Sequence, residues 1–239
     1  MIVIPDQDDR IRGLWEALLE LAAEHPRDWT LIGAQMVFLH ALEHEADPPR
    51  YSADLDVVVN VQALKHGVRI MAETLDRLGY KFMGANNAGI GHRFERGSAR
   101  VDLLAPDGLS ERADIRTFAG ARTVQVPGGT QGLRRSQFVE ICVGEACGTV
   151  PRPDLLGAIL LKARAVDVDD VPESQRAEFC FLLSLVDDPV AMALDLRGRQ
   201  QRWLRRRAEL LDAGHPAWLG IRDADDARIA LKILMGTDR

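Results

Sequence analysis

Cysteine, lysine and aromatic residues are all scarce in this 239-residue chain, and it has no long apolar run. The cysteines are three, Cys142, Cys147 and Cys180, an odd number with no C-x-x-C pair. That excludes a disulfide-built secreted scaffold and leads us to expect free thiols in a reducing compartment. No stretch approaches the roughly 20 uncharged apolar residues of a membrane-spanning helix. The first ten residues are acidic and no apolar signal core follows them, so the expectation is a cytoplasmic protein with no membrane partner. Repeats, low-complexity tracts and Gly/Ser- or Pro-rich linkers are also missing. A composition of 46% hydrophobic and 28% charged residues excludes a disordered chain. The net charge of -6 argues against gripping nucleic acid over the whole surface, but it leaves room for a local basic patch.

Hydrophobic periodicity reads as an α+β chain. Ile11, Leu14, Leu18 and Leu21 recur at helical spacing and predict a helix over 9–24, ended by His25-Pro26. A short strand over 29–32 runs into Gly33, followed by a helix over 35–45. The Val-rich run 55–61 predicts a buried strand, and 63–78 a helix closed by Gly79. Runs 92–95 and 99–104, joined through Gly97-Ser98, read as a hairpin. Strands are expected at 123–126, 138–143 and 147–150. After Pro151-Arg152-Pro153 the signals turn helical, over 154–166, 173–185, 189–211 with a break near Gly198, and 223–235. The expected organisation is a mixed-sheet α/β domain with flanking helices over 1–150 and an all-helical domain over 151–239.

The chemistry concentrates in Arg50-Tyr51-Ser52-Ala53-Asp54-Leu55-Asp56 at the mouth of the Val-rich strand. Side chains alternate along a strand, so Asp54 and Asp56 share a face. At about 4 Å and an effective dielectric near 20, two such charges repel by about 4 kcal/mol, which a cation would relieve. Asp102 stands alone among the apolar residues of Arg100-Val101-Asp102-Leu103-Leu104, where burying a carboxylate demands a partner. A sheet that lays this strand beside 55–61 brings Asp102 to Asp54 and Asp56. Upstream, Leu31-Ile32-Gly33-Ala34 is a strand, a glycine turn and a helix start, which offers backbone N–H groups to a phosphate.

This order of glycine turn, helix, Arg-x-Ser-x-Asp-x-Asp and a third aspartate on a later strand resembles the polymerase-β-type nucleotidyltransferases. Within them it is most similar to the AbiEii/AbiGii-type toxins of bacterial toxin–antitoxin systems, whose C-terminal half is also helical. The resemblance implies a nucleotidyltransferase-like fold and Mg²⁺-dependent transfer of a nucleoside monophosphate from a nucleoside triphosphate. In that scheme Asp54, Asp56 and Asp102 are catalytic metal ligands, and Asp102 also helps deprotonate the acceptor. Gly33, Ala34 and Ser52 line the triphosphate site. Lys162, in Leu160-Leu161-Lys162-Ala163-Arg164-Ala165, corresponds to the family's functional lysine and contacts nucleotide phosphate; it is one of only four lysines here. The implied acceptor is the 3′ end of tRNA, and the implied partner a cognate antitoxin. Ala34 departs from the usual Ser or Gly, and Glu178 stands where an aspartate is common. Two alternatives follow: a binding protein that kept the fold and lost turnover, or an enzyme modifying a small molecule such as an antibiotic.

Other motifs compete. His40-Ala41-Leu42-Glu43-His44 matches the H-x-x-E-H zinc pattern, but without a third ligand these read as polar residues where a helix meets a loop. Arg197, Arg199, Arg202, Arg205, Arg206 and Arg207 crowd around Trp203, either as a patch for tRNA phosphates or as a solvated helix face. Gly128-Gly129 and Gly132 lack the Lys-Ser/Thr of a P-loop and read as a turn between strands. Asp167, Asp169 and Asp170 read as a solvated connection.

Overall fold

The computed structural model describes residues 1–5 and 9–236, so the acidic N-terminal stretch lies partly outside the described residues. In chain order the elements are β1 (Ile2–Ile4), α1 (Asp9–Glu24), β2 (Trp29–Ile32), α2 (Gly33–Glu43), β3 (Asp54–Val59), α3 (Gly67–Arg77), β4 (Lys81–Phe82), β5 (Arg93–Arg96) and β6 (Ala99–Pro106). They continue through β7 (Gln125–Val126), α4 (Gly129–Arg134), β8 (Ser136–Val143), β9 (Ala146–Pro153), α5 (Leu155–Ala165), α6 (Pro172–Ser184), α7 (Pro189–Leu194), α8 (Gly198–Arg205) and α9 (Ala224–Met235). The class is α+β, as expected.

The main sheet has the order β2-β3-β6-β5-β4, with β7 paired to the end of β6. β3 and β6 run parallel, while β2 on one side and β5 on the other are antiparallel to them. A parallel pair at the centre must be covered on both faces, which explains why Leu55 and Val57–Val59 form a continuous apolar run. α1 supplies part of the cover with Leu14, Trp15, Leu18 and Leu21, each worth about 1.5–3 kcal/mol when fully buried. A second sheet, β1-β8-β9, leans on the first; Thr30 and Ser136 hydroxyls bond at 2.8 Å between β2 and β8.

The helical segment closes the other side. Asp154 caps α5 by accepting from the Gly157 N–H at 2.7 Å and also holds Arg135. α5 packs on α6, and α9 packs on α6, α7 and α8. Leu156, Phe179 and Leu231 belong to the same buried cluster as Leu55. The helix expected over 189–211 is broken at Gly198, as its composition suggested, and ends in a 3₁₀ turn at Ala208–Leu211. The division expected at residue 150 falls within β9.

Three expectations are corrected. Gly128, Gly129 and Gly132 do not form a turn between strands but open and carry α4. Glycine is needed there for close packing: a Cβ on Gly129 would lie 2.9 Å from Pro106, and one on Gly132 2.9 Å from Leu161. Asp167, Asp169 and Asp170 are not merely a solvated connection: Asp167 and Asp170 are exposed, yet Asp167 and Asp169 also act as anchors. Asp167 pairs with Arg164, Arg206 and Arg207, and Asp169 accepts from the Val171 N–H and from Gln175. Cys142 and Cys147 are register partners on β8 and β9 and form a disulfide, leaving Cys180 as the free thiol, buried. Their spacing suits a bond across a tight hairpin.

Unfolded without reductant, the protein is expected to show one titratable thiol; three would contradict the pairing. Replacing both bonded cysteines by serine should lower stability by about 2 kcal/mol, the chain-entropy value for so short a loop, read from urea unfolding.

Candidate active site

The register of the parallel pair builds the site. Asp56 on β3 lies opposite Asp102 on β6, and Asp54 opposite Arg100. On its other side Asp56 lies opposite Ile32, the last residue of β2, so Gly33 turns directly over the Asp56 carboxylate. Gly33 has φ +72°, and a Cβ there would lie 2.0 Å from Asp56 Oδ2. Any side chain would thus pay both for a left-handed backbone and for a collision with the carboxylate. The turn and the aspartates, read separately in the sequence, are one structure.

The three aspartates differ in their company. Asp102 is buried and accepts two bonds from Arg93, Nε at 3.0 Å and a terminal nitrogen at 2.8 Å, from the register position across β5. This pairing holds Arg93 firmly protonated. His92 Nε2 lies 3.8 Å from the same carboxylate. Asp54 is more open and takes Arg100 at 3.2 Å, while Arg100 also donates to Glu95 at 2.9 Å. Asp56 forms no hydrogen bond or ion pair among the described residues. Its carboxyl is pushed up to about 6, first by burial and next by the Asp102 charge. Arg93, Arg100 and His92 were not singled out in the sequence; their alternation with Asp102 across a hairpin was the available signal.

Gly33 and Asp56 line a cleft of about 360 Å³ with Leu104, Lys162, Asp169 and Gln175. α2 starts at Gly33 with no side-chain cap, so its first N–H groups are turned toward this region without a partner from Ala34, which is buried. The Ser52 hydroxyl accepts from the Asp54 N–H at 3.3 Å, and its carbonyl accepts from Gln35 Nε2. Ser52 therefore fixes the entry to β3 from the first turn of α2.

Lys162 is buried beside the cleft. Its Nζ meets Glu178 Oε2 at 2.5 Å and donates to Gln175 Oε1 at 2.9 Å. Glu178 in turn receives Arg50 Nε at 2.7 Å. Arg50 leads into Ser52 and Asp54, so a chain of charges runs from α5 through α6 to the aspartate loop. The arginine on Glu178 thus comes from a segment 128 residues away in the chain.

Among the described residues no three His, Cys, Asp or Glu side chains converge closely enough to enclose a metal. Mg²⁺ does not require such a cage, because it commonly takes one or two carboxylates together with water and substrate phosphates. Asp56 and Asp102 are hard donors side by side, and Asp56 makes no ion pair among the described residues, although the Lys162 charge across the cleft acts on it. The donor set fits a phosphate-bound Mg²⁺, with Arg93 and Arg100 as the counter-ions it would compete with. The H-x-x-E-H residues do not fit zinc. His40 lies in the last turn of α2, where the helix meets the loop, but is buried, with Nε2 3.1 Å from the Pro153 carbonyl and with Arg152 against the ring. Burial and then the Arg152 charge hold it well below its ordinary pKa, while Glu43 is taken by Arg152.

The arginine run divides. Arg205 donates to the Met235 carbonyl at 2.8 Å, and Arg206 and Arg207 pair with Asp167, Arg207 being buried. Arg197, Arg199 and Arg202 stay exposed. No helix among the described residues is long and apolar enough to cross a membrane.

No protein-family model matches the chain, and no curated protein matches its sequence. Among solved structures it is similar to an antigenic nucleotidyltransferase-like protein from Paracoccidioides brasiliensis, with TM-score 0.54 and 12% identity over 96% of this chain and 95% of that one. It aligns more loosely with the antibiotic-resistance factor ANT(2'')-Ia, at TM-score 0.40 and 13% identity over 96% and 94% of the two chains. The first similarity establishes a nucleotidyltransferase-like fold.

Two outcomes follow from the charges. Asp56, with an ordinary value of 3.8 raised to about 6, binds its proton more tightly when folded, so its penalty appears as pH rises through that window and is complete above it. Asp56→Asn is therefore expected to stabilise the metal-free protein by roughly 2–3 kcal/mol at neutral pH and not at all below about pH 4. Urea unfolding across that range checks it, and a pH-independent difference would contradict it. Lys162→Met should destabilise by about 3 kcal/mol or more by stranding Glu178, with Lys162→Met/Glu178→Gln recovering most of the loss. A single variant as stable as the wild type would refute the pairing.

Proposed function

We propose that this chain is an Mg²⁺-dependent nucleotidyltransferase that moves a nucleoside monophosphate from a nucleoside triphosphate to an acceptor hydroxyl. The observation that carries the reading is Asp56: a carboxylate with no hydrogen bond or ion pair among the described residues, beside Asp102, under a glycine turn that tolerates no side chain. A nucleotidyltransferase-like fold around that spot adds to it.

Asp54, Asp56 and Asp102 are the residues that would hold Mg²⁺. Bound there, the ion would supply charge neutralisation at the phosphates and a lowered pKa for the attacking hydroxyl. The chain's own part is positional. The Gly33 turn and the first N–H groups of α2, with Ala34 packed beneath, cradle the triphosphate. Ser52 and Gln35 fix the loop that delivers Asp54. Lys162 borders the triphosphate and, held by Glu178 and Gln175, lends its charge without swinging freely. The acceptor oxygen forms a bond to the α-phosphorus as the bridge to the β-phosphate breaks. The hydroxyl proton passes to the carboxylate side of the site, and pyrophosphate leaves with the bonding electrons.

In finer detail we read the enzyme as a toxin of the AbiEii type acting on tRNA 3′ ends, restrained by a cognate antitoxin. Residues 1–150 would serve as the catalytic domain and 151–239 as the helical domain that brings Lys162. The members of the arginine run whose guanidinium groups make no hydrogen bond or ion pair among the described residues, Arg197, Arg199 and Arg202, are the proposed contacts to tRNA, and a cytoplasmic location follows from the need for nucleoside triphosphate. A second reading, a binding protein without turnover, is favoured by Ala34, which offers no hydroxyl, and by the Arg93 clamp on Asp102. An antibiotic-modifying enzyme is the third.

Incubation with each labelled nucleoside triphosphate, Mg²⁺ and either total tRNA, total protein or aminoglycoside separates these readings. Label should reach one acceptor, and Asp54→Ala and Asp56→Ala should each lower transfer on the order of 100-fold or more, as loss of a preorganised charge-stabilising group does. Undiminished transfer by either variant would sink the metal assignment, and no transfer by the wild type would favour the second reading.

A further inference from the structure

A second cleft, of about 300 Å³, opens between the end of β6, α4 and α8. It shares no lining residue with the cleft at Asp56. Arg134 comes from α4, and Arg197, Arg199 and Trp203 from the start and face of α8. None of these three arginines pairs with a carboxylate among the described residues. The neighbouring Arg164, Arg206 and Arg207, by contrast, pair with Asp167. The lining's one carboxylate, Asp107, is occupied in accepting the Thr130 N–H at 3.0 Å. Two guanidinium groups lie against the Trp203 ring, Arg164 at 5.3 Å and Arg199 at 5.6 Å from its centre. The result is a planar cationic platform at the wall of a concave, unneutralised site.

From this we infer that the cleft formed by Arg134, Arg197, Arg199 and Trp203 binds a nucleotide unit, its phosphate on the arginines and its base stacked on the Trp203–Arg199 platform. Unpaired arginines supply fork-shaped donors for phosphate oxygens. An aromatic ring flanked by guanidinium holds any base without regard to sequence. The volume suits one such unit. The unit belongs either to a single-stranded nucleic acid or to a free nucleotide. Geometry links the cleft to the first site: Leu104 lines the Asp56 cleft and Asp107 lines this one, three residues further on, or about 10 Å of strand. A strand held here by an internal nucleotide could present its end to the Asp56 cleft. That presentation rests on the nucleotidyl-transfer reading; the binding does not.

The test is equilibrium binding, by fluorescence anisotropy, of a labelled single-stranded oligoribonucleotide, with an unlabelled mononucleotide as competitor. The Arg134→Ala/Arg197→Ala/Arg199→Ala variant should bind at least tenfold more weakly, and its log K against log salt slope should be shallower by about 2. Trp203→Ala should weaken binding severalfold and Trp203→Phe should restore it. Arg27→Ala, which removes an exposed arginine in the loop before β2 and outside both clefts, should bind like the wild type. Displacement by millimolar mononucleotide identifies a free nucleotide as the ligand; displacement only by oligonucleotide identifies the strand. An unchanged affinity and slope in the triple variant, an equal loss in Arg27→Ala, or no binding by the wild type would overturn the inference. Asp56→Ala should bind normally while failing to transfer, so the failure of either site is read apart from the other.

Discussion

Asp56 and Asp102 stand side by side on the parallel pair at the centre of the sheet, and a guanidinium neutralises only one of them. At about 5 Å and an effective dielectric near 20 such a pair repels by about 3 kcal/mol, and burial adds to the difficulty. Much of the surrounding structure is arranged around that unrelieved charge. Gly33 must be glycine because the carboxylate fills the space where a side chain would be. Arg93 and Arg100 sit at the register positions where they quiet the flanking aspartates and leave the middle one alone. A protein optimised only for stability would have placed an asparagine or a valine at position 56.

The helical segment is part of the same electrostatic arrangement. Lys162 and Glu178 are buried together at 2.5 Å, and Arg50 ties Glu178 to the loop before Asp54. A buried pair of this kind contributes little net stability but is costly to break, so it fixes geometry. Here it fixes the distance between a lysine on α5 and a carboxylate on β3. The cationic side of the cleft is thus rigid, whereas the arginines on Asp54 and Asp102 are partly exposed and able to yield to a competing cation.

Much of this was legible in the sequence, because local pattern and sheet logic carry it. The span 9–24 is the helix its periodicity announced, the Val-rich run is the buried central strand, and the hairpin at Gly97-Ser98 delivers Asp102 beside Asp56. What escaped the reading was set by partners far apart in the chain. Arg93 matters because a hairpin register puts it on Asp102, and Arg50 because it meets a helix 128 residues away. α4 escaped because three glycines in six residues argue against a helix unless close packing on Pro106 and Leu161 demands them. The disulfide escaped for a related reason: an odd cysteine count says nothing about two thiols brought opposite each other by a tight hairpin. The arginine run could be counted but not sorted, since its split into three tethered and three exposed side chains depends on Asp167 and the last turn of α9.

The central claim is that Asp56 is left uncompensated for a divalent cation carried with nucleotide phosphates. The most direct measurement is the thermal midpoint of the wild type and of Asp56→Asn at neutral pH, with and without millimolar Mg²⁺ and a non-hydrolysable nucleoside triphosphate. The expected result is that Mg²⁺ with nucleotide raises the midpoint of the wild type by several degrees and leaves Asp56→Asn, already more stable, unmoved. Equal shifts in the two proteins, or none in the wild type, would contradict it.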